Sequence, residues 1–233
     1  MKGMRLVISI SWASAFLAFL AVSAPDVAWA QQAKGSGGAS KPAANSATAA
    51  KPTAATGQNY PQRFAQLCAA CHGANGRSEM QGVPALAGQP SLYAITQLFL
   101  FREGRRANEA MTAVAKTMTD DDMRGFSEFI GTLPAVPAPP PAGAVDAARM
   151  ARGKQLASEH KCVFCHGDDF SGGQQVPRIA QQREEYLAAN LHEFKTGKRQ
   201  GYTMAMSEAL RPVPPADLDT LAYYLSRFTP TAK

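Results

Sequence analysis

Apolar and polar positions along most of the chain recur with the three- and four-residue spacing that places apolar side chains on one face of a helix. The longest example is SLYAITQLFLFREG, in which Leu92, Ile95, Leu98 and Phe99 follow this spacing and Gly104 ends the segment. The pattern predicts a helix whose buried face carries those four side chains.

Similar stripes predict further helices. Phe64, Leu67 and Cys71 share one helical face near the start of the folded region. Thr119, which three aspartates follow, is typical of a helix start, because threonine caps the first turn and acids favour the positive end of the helix dipole. The expected buried stripes are Met123, Phe126, Phe129 and Ile130 in one late helix and Leu218, Leu221 and Leu225 in another. No segment shows a convincing strand alternation, so the predicted fold class is all-α.

The chain contains two copies of one unit. The five-residue word CAACH at residues 68–72 returns as CVFCH at residues 162–166. Further blocks match at a separation of 93 residues, which pairs Gln89 with Gln182, Tyr93 with Tyr186 and QLFLFREGRR with NLHEFKTGKR. The final helices match at a separation of 95 residues. Four matched blocks in one order indicate a tandem duplication.

This repeat divides the folded part of the chain into two domains, residues 58–133 and 145–233. The linker between them, PAVPAPPPAGA at 134–144, has proline at five of its eleven positions. Proline restricts its own φ and the conformation of the preceding residue, so a semi-rigid extended spacer is expected. Each domain is small for a self-sufficient core, and units of this size often recruit a cofactor or a cross-link.

The N-terminal segment is typical of an exported protein. Residues 1–30 combine a positive start, an apolar run and the small-x-small pattern Ala28-Trp29-Ala30, which predicts a signal peptide. An uncleaved membrane anchor is the alternative, because the apolar run approaches the length that spans a bilayer. Residues 31–57 lack any large apolar side chain, so we expect a disordered tether rich in alanine, lysine and proline.

The net charge of +6 changes this picture little. It divides into +1 for residues 1–30, +3 for 31–57, 0 for 58–144 and +2 for 145–233. Most of the basic excess therefore lies outside the folded units, and no basic patch interleaved with aromatic residues suggests a nucleic-acid partner.

All four cysteines fall in the two repeated words, and each word ends in histidine. Disulfides would close very small loops and leave the histidines without a role, and zinc would find only three ligands in each word. Covalent haem accounts for every residue, since two cysteines on one helical turn can form thioethers with a porphyrin and the next histidine can bind its iron. The sequence thus predicts two haem c groups, with thioethers at Cys68, Cys71, Cys162 and Cys165 and iron ligands at His72 and His166.

A filled sixth iron position suits electron transfer, and methionine is the usual soft ligand there. At the separation of 95 residues Met111 pairs with Met206, whereas Met118 pairs with Val213. Met111 and Met206 are therefore the predicted axial ligands. Met118 remains an alternative in the first unit, and Met204 is the second choice in the second unit, because a small insertion would change the match.

A proline follows each word at a similar distance, Pro84 in the first unit and Pro177 in the second. A carbonyl group near such a proline can accept a hydrogen bond from the iron-bound histidine and orient its ring. An ordinary turn proline is the alternative reading.

On these motifs, above all the AGQ…Y…QL..FR.G.R phrase, residues 58–230 resemble the dihaem class I c-type cytochromes of the cytochrome c4 type. The resemblance implies two tandem mono-haem cytochrome c domains packed about a pseudo-twofold axis, with histidine and methionine ligands, and it selects Met111 and Met206. It also implies a periplasmic carrier of single electrons towards respiratory partners. The chain departs from the family in the phrase VPRIAQQ of the second unit and in its long N-terminal tether.

The expected function is electron transfer without an enzymatic reaction. The partners implied are a terminal oxidase, a quinol-oxidising complex or a dehydrogenase, with no nucleic acid and with membrane contact only through partners or an uncleaved N-terminus. One alternative is a haem subunit bound permanently to a dehydrogenase. A peroxidase-like dihaem enzyme with an open iron position is a further alternative, which the matched methionines disfavour.

Overall fold

A computed structural model of the chain describes residues 58–199 and 204–230. All of these residues belong to one compact body. The predicted signal peptide at 1–30 and the predicted tether at 31–57 lie outside the described residues.

The described residues form ten helices in two successive sets of five. The first set is α1 (Tyr60–Leu67), α2 (Ala69–His72), α3 (Ser91–Arg102), α4 (Glu109–Ala115) and α5 (Asp120–Thr132). The second set is α6 (Ala147–Glu159), α7 (Val163–His166), α8 (Glu184–Lys195), α9 (Ala205–Leu210) and α10 (Pro215–Arg227). Within the described ranges the sole β-type pairing is an isolated bridge between Gly173 and Val176. The all-α prediction is confirmed.

The two sets correspond helix by helix. Helix α8 begins 93 residues after the start of α3 and ends 93 residues after its end. For α10 and α5 both separations are 95 residues. The second unit therefore contains two additional residues between its third and fifth helices. None of the helices in the described part of the chain is both long and apolar enough to cross a membrane.

The core of the first unit lies among α1, α3 and α5. Phe64 and Phe126 are fully buried there, and Tyr60 packs edge-to-face on Phe126 with ring centroids 5.2 Å apart. Thr119 caps α5 as predicted, because its hydroxyl accepts a hydrogen bond from the backbone N–H of Asp122, whose carboxylate accepts one from the Thr119 N–H. This reciprocal capping box satisfies two amide groups that a helix start otherwise leaves unpaired.

Two predicted apolar faces in this unit are only partly right. Leu92 and Phe99 are 49% and 40% exposed, and the buried residues of α3 are Ala94, Leu98, Leu100 and Phe101. Leu67 is also exposed, although Phe64 on the same helix is buried. Helix α3 carries apolar side chains on most of its circumference, so spacing alone did not identify the side that packs.

The core of the second unit is built on α10, which packs against α6 and α8. The predicted stripe is confirmed, since Leu218, Leu221 and Leu225 are all buried. An aromatic cluster of Phe170, Tyr224 and Phe228 completes this core through edge-to-face contacts.

In each unit the first long helix crosses the last one at a glycine. A Cβ at Gly125 on α5 would lie 2.0 Å from the ring of Tyr60 on α1. A Cβ at Gly153 on α6 would lie 2.3 Å from the Cβ of Tyr224 on α10. Only glycine permits such an approach, so both crossings depend on the missing side chain.

The two units meet through residues at matched positions, which we call the seam: Ala85, Gln89, Tyr93, Gln97 and Arg106 of the first unit and Arg178, Gln182, Tyr186, Asn190 and Arg199 of the second. Arg106 donates to the hydroxyl of Tyr186 at 2.9 Å, and Arg199 donates to the hydroxyl of Tyr93 at 3.2 Å. Both arginines also donate to Oε1 of Gln97, at 2.9 and 3.0 Å. Reciprocal use of equivalent residues is what a pseudo-twofold contact requires.

The proline-rich linker is attached to both units. The backbone N–H of Ala138 donates to the carbonyl of Gln181 in the second unit at 2.9 Å. Nε of Arg77 in the first unit donates to the carbonyl of Pro137 at 2.9 Å. As predicted, the linker forms no helix. Two adjacent linker residues, Pro137 and Ala138, are therefore held against opposite units.

The departure VPRIAQQ changes the residues but not the local turn. Gly88 in the first unit has φ +72°, and its counterpart Gln181 has φ +55°. The second unit therefore accepts a non-glycine residue in the left-handed region, which is sterically costly, to keep the same chain path.

Candidate functional site

A single helical turn sets the geometry of each cysteine word. In the first unit the backbone N–H of His72 donates to the carbonyl of Cys68 at 2.9 Å, and in the second unit His166 donates to Cys162 at 3.1 Å. Residues four positions apart on a helix lie on the same side. The first cysteine and the histidine of each word therefore share one face.

The two histidine side chains are buried and held in one orientation. Nδ1 of His72 lies 2.9 Å from the carbonyl oxygen of Pro84, and Nδ1 of His166 lies 3.0 Å from that of Pro177. A carbonyl oxygen only accepts, so Nδ1 of each ring carries the proton and Nε2 retains its lone pair for a metal. The hypothesis that these prolines orient the histidines is confirmed.

Burial also favours the neutral form of both imidazoles. It lowers the pKa of His72 and of His166 below the usual value for histidine, although the hydrogen bonds to the proline carbonyls act in the opposite direction. Neutral imidazole is the form that binds metal ions.

The two cysteines of each word differ in burial. Cys68 and Cys162 are half-buried, whereas Cys71 and Cys165 are exposed. Burial raises the pKa of the Cys68 thiol to about 11 and also raises the pKa of Cys162. The structure contains no disulfide between them, and across residues 58–199 and 204–230 no group of three or more histidine, cysteine or acidic side chains is arranged to hold a metal ion.

The methionines named from the repeat lie on equivalent short helices. Met111 on α4 packs against the core of the first unit, and Met206 on α9 packs against the core of the second. Met204, the second choice, is 67% exposed at the start of α9. Met118 is buried among core residues, and its counterpart Val213 is fully buried in the other core.

The residues of each unit fit a covalently attached porphyrin iron. Each unit offers two thiols on one helical turn, a neutral imidazole with a free Nε2, and a half-buried thioether side chain close to an apolar core. This is the donor set of a low-spin haem c, which needs no acidic ligand.

Sequence reasoning missed the side chains that hold the peptide after each proline. Gln182 of the second unit binds both the N–H and the carbonyl of Ala85, and Gln89 of the first unit binds those of Arg178. The repeat contained a signal, because Gln89 and Gln182 are matched residues. It gave no reason to place each glutamine against the opposite unit.

A family model described as cytochrome c matches the chain twice, at residues 61–134 and 150–228. Among curated proteins, a cytochrome c4 of Thiocapsa roseopersicina is 33% identical over 143 residues, which are 57% of this chain and 71% of that protein. A thiosulfate dehydrogenase electron acceptor of Thiomonas intermedia (strain K12) is 35% identical over 144 residues, which are 59% of this chain and 66% of that protein.

Among solved structures, that of reduced recombinant cytochrome c4 from Pseudomonas stutzeri superposes with a TM-score of 0.65. The match covers 73% of this chain and 97% of that chain at 24% identity. At this identity the likeness concerns the fold, and it extends over both five-helix units.

Proposed function

The chain belongs to the cytochrome c family as a dihaem protein of the cytochrome c4 type, and from this premise we propose that it works in the periplasm as a carrier of single electrons between redox proteins. It carries two covalently bound haem c groups, one in each unit. Bound haem iron supplies reversible one-electron exchange between the ferrous and ferric states.

The side chains of each unit have separate tasks in this proposal. Cys68 and Cys71 attach the first porphyrin through thioethers, and Cys162 and Cys165 attach the second. His72 and His166 bind the irons through Nε2, because the proline carbonyls hold their Nδ1 protons. This hydrogen bond supports the proposal most directly, since it presents a neutral, oriented imidazole before any metal is considered.

Met111 and Met206 complete the ligand sets. Their equivalent, half-buried places support this assignment, and the exposure of Met204 disfavours the second choice. An iron with both axial positions filled binds no substrate, so the protein itself catalyses no reaction and exchanges electrons through small, transient contacts.

The donor is the open part of the proposal. The relative of Thiomonas intermedia is named as the electron acceptor of thiosulfate dehydrogenase. That name favours a dehydrogenase as donor, and a haem subunit held permanently in a dehydrogenase complex is the second candidate function. A terminal oxidase or a quinol-oxidising complex would serve at the opposite end of the route.

A redox titration of the purified chain tests the proposal. Pyridine haemochrome analysis should give two haems per chain, resistant to acidified acetone, and reductive titration should consume two electrons reversibly with low-spin spectra in both states. Stopped-flow mixing with thiosulfate-reduced thiosulfate dehydrogenase then tests the donor. Extractable pigment, or a high-spin haem that turns over peroxide, would contradict the electron-carrier assignment.

A further inference from the structure

One peptide group in each unit connects the haem-side histidine to the opposite unit. The carbonyl of Pro84 accepts from Nδ1 of His72 at 2.9 Å. The N–H of the same peptide group, which belongs to Ala85, donates to Oε1 of Gln182 at 2.8 Å. The histidine and the glutamine therefore bind opposite ends of a single amide.

The second unit repeats this arrangement in the reverse direction. The carbonyl of Pro177 accepts from Nδ1 of His166 at 3.0 Å. The N–H of that peptide group, which belongs to Arg178, donates to Oε1 of Gln89 at 3.1 Å. Each unit thus contributes its own histidine and carbonyl, and the other unit contributes the glutamine.

Both glutamine side chains are fixed at two points of the peptides that they cross to, and Oε1 of Gln182 also accepts from the N–H of Arg183 at 2.9 Å. Nε2 of Gln182 donates to the carbonyl of Ala85 at 2.8 Å, and Nε2 of Gln89 donates to the carbonyl of Arg178 at 2.8 Å. Both side chains are buried in the seam. Rotation of the amide by half a turn would place N–H against N–H and oxygen against oxygen, so each Oε1 is held against its peptide N–H.

Hydrogen bonds that share an amide strengthen one another. An acceptor at the N–H shifts electron density towards the carbonyl oxygen, which then accepts more strongly from the imidazole. A stronger bond at Nδ1–H makes the imidazole a better electron donor at Nε2, and outer partners of this kind tune a metal through its ligand. A better donor stabilises ferric over ferrous iron and lowers the reduction potential.

We propose that the two units tune one another through crossed glutamines: Gln182 of the second unit sets the donor strength of His72, and Gln89 of the first unit sets that of His166. The inference rests on the proposed function, because it takes both histidines as iron ligands. Gln89 and Gln182 are positioning residues, since neither reaches the iron. Contacts across the seam then adjust the reduction potentials of both haems in addition to holding the domains together.

Substitution of each glutamine in the full-length holoprotein tests this crossing. Gln182→Leu removes the acceptor from the Ala85 N–H, so the haem of the first unit should become easier to reduce while the haem of the second unit stays unchanged. Gln89→Leu should do the reverse. We expect about a threefold change in the ratio of reduced to oxidised haem at fixed potential, close to 30 mV for one electron. Spectroelectrochemical titration measures both potentials.

Nitrogen NMR of histidine-labelled, reduced protein assigns each effect to its unit. The Nδ1 resonance of His72 should move in Gln182→Leu, and that of His166 should move in Gln89→Leu. A merely structural role of the glutamines would not produce this exchange of signals between units. Gln182→Asn, one methylene shorter, tests the same bond if the leucine variant does not fold.

Gln97→Leu is the matched control. It removes a seam glutamine that contacts Arg106 and Arg199 and leaves both crossed peptides intact. It should shift the two potentials equally or not at all, and a shift confined to one unit would contradict the inference. A Gln182→Leu shift in its own unit, or in neither, would overturn it while the wild type remained a low-spin dihaem carrier. A wild type that lacked histidine-ligated low-spin haem would instead refute the proposed function.

Discussion

The two units solve the same packing problem with opposite residues. In the first unit the glycine lies on the last helix, at Gly125, and the tyrosine on the first, at Tyr60. In the second unit the glycine lies on the first long helix, at Gly153, and the tyrosine on the last, at Tyr224. The crossing of the two helices is common to both units, while the residues that permit it have changed sides. Both units therefore keep the close approach of the two helices, and the glycine that allows it can lie on either helix.

The units also differ next to the histidine-binding peptide. Ala85 of the first unit corresponds to Arg178 of the second, whose guanidinium is buried. Among the described residues this guanidinium donates to neutral oxygens: the carbonyls of Ala87 and Val136 and Oε1 of Gln181, at 3.3 to 3.5 Å. Burial lowers the pKa of Arg178, which reflects the cost of placing a cation there. One unit thus has a positive charge where the other has a methyl group.

The largest expected effect is the loss of a proposed sulfur ligand, which distinguishes Met111 and Met206 from the nearby methionines. Met111→Ala and Met206→Ala should each turn one haem high-spin and lower its potential by roughly 0.2 V, a fraction of the ~0.8 V range that axial ligands control. Optical, magnetic and redox measurements on each variant check this. Met204→Ala and Met118→Ala are the controls, and both should retain two low-spin haems. A spectrum unchanged in Met206→Ala but altered in Met204→Ala would reverse the assignment in the second unit.

Replacement of the crossing glycines should separate the two packing solutions. A Cβ at Gly153 meets the backbone oxygen of Thr220 at 2.9 Å as well as Tyr224, so Gly153→Ala should destabilise the protein by about 3 kcal/mol. At Gly125 the three nearest atoms all belong to the ring of Tyr60, whose hydroxyl donates to the carbonyl of Asp121, so Gly125→Ala should cost about 2 kcal/mol, less than the clash with backbone at Gly153. Chemical denaturation of the holoprotein measures both values.

A double variant sharpens this comparison. Gly125→Ala combined with Tyr60→Leu should show favourable coupling, because the second change removes the ring that the new methyl group meets. Equal losses at the two glycines, with no coupling in the double variant, would contradict the account of the crossings.

The buried guanidinium of Arg178 should affect the reduction potential of the second haem more than that of the first. Arg178→Ala should lower the potential of the second haem by about 40 mV, since removal of a nearby positive charge stabilises ferric iron by about 1 kcal/mol at the effective dielectric constant of a protein. The first haem should change less. Lys154→Ala, which removes an exposed charge from the same unit, is the control and should leave both potentials in place. A larger change in the first haem would be inconsistent with a local charge effect.

The smallest expected effect concerns the starts of the last helices. Helix α5 has the Thr119–Asp122 capping box, whereas α10 begins after Pro214 and has no side-chain cap, although Asp217 occupies the matching third position. Thr119→Ala should cost about 1 kcal/mol, and Pro214→Thr should add about 0.5 kcal/mol by completing the box in the second unit. Thermal unfolding monitored by circular dichroism resolves both changes. A loss of stability in Pro214→Thr would show that the proline itself is needed at this site.

The sequence predicted features that depend on local spacing or on the repeat. The helix class, the cap at Thr119 and the bond between each histidine and the carbonyl of a nearby proline are of this kind. Each depends on residues close in the chain, or on a pattern that occurs twice.

Features that depend on which surfaces meet were not predictable. Leu92 and Phe99 satisfied a helical stripe but lie on the outer side of α3, because a helix that is apolar on several sides gives spacing no way to choose between them. The match of Gln89 with Gln182 showed that both units have glutamine at the same position. A match along the chain does not reveal that each glutamine binds a peptide of the other unit. The choice between Met204 and Met206 depended on two extra residues whose position the repeat alone left open.

The linker binds Arg77 of the first unit through Pro137 and Gln181 of the second through Ala138, and this attachment has a consequence for how the molecule arose and persisted. A contact made mostly of amide, hydroxyl and guanidinium groups would hold two separate halves together only weakly. A short covalent connection raises the local concentration of one half around the other to about the millimolar range. Under that condition modest contacts suffice for permanent association, so the polar surface remains free to evolve for electronic communication instead of adhesion.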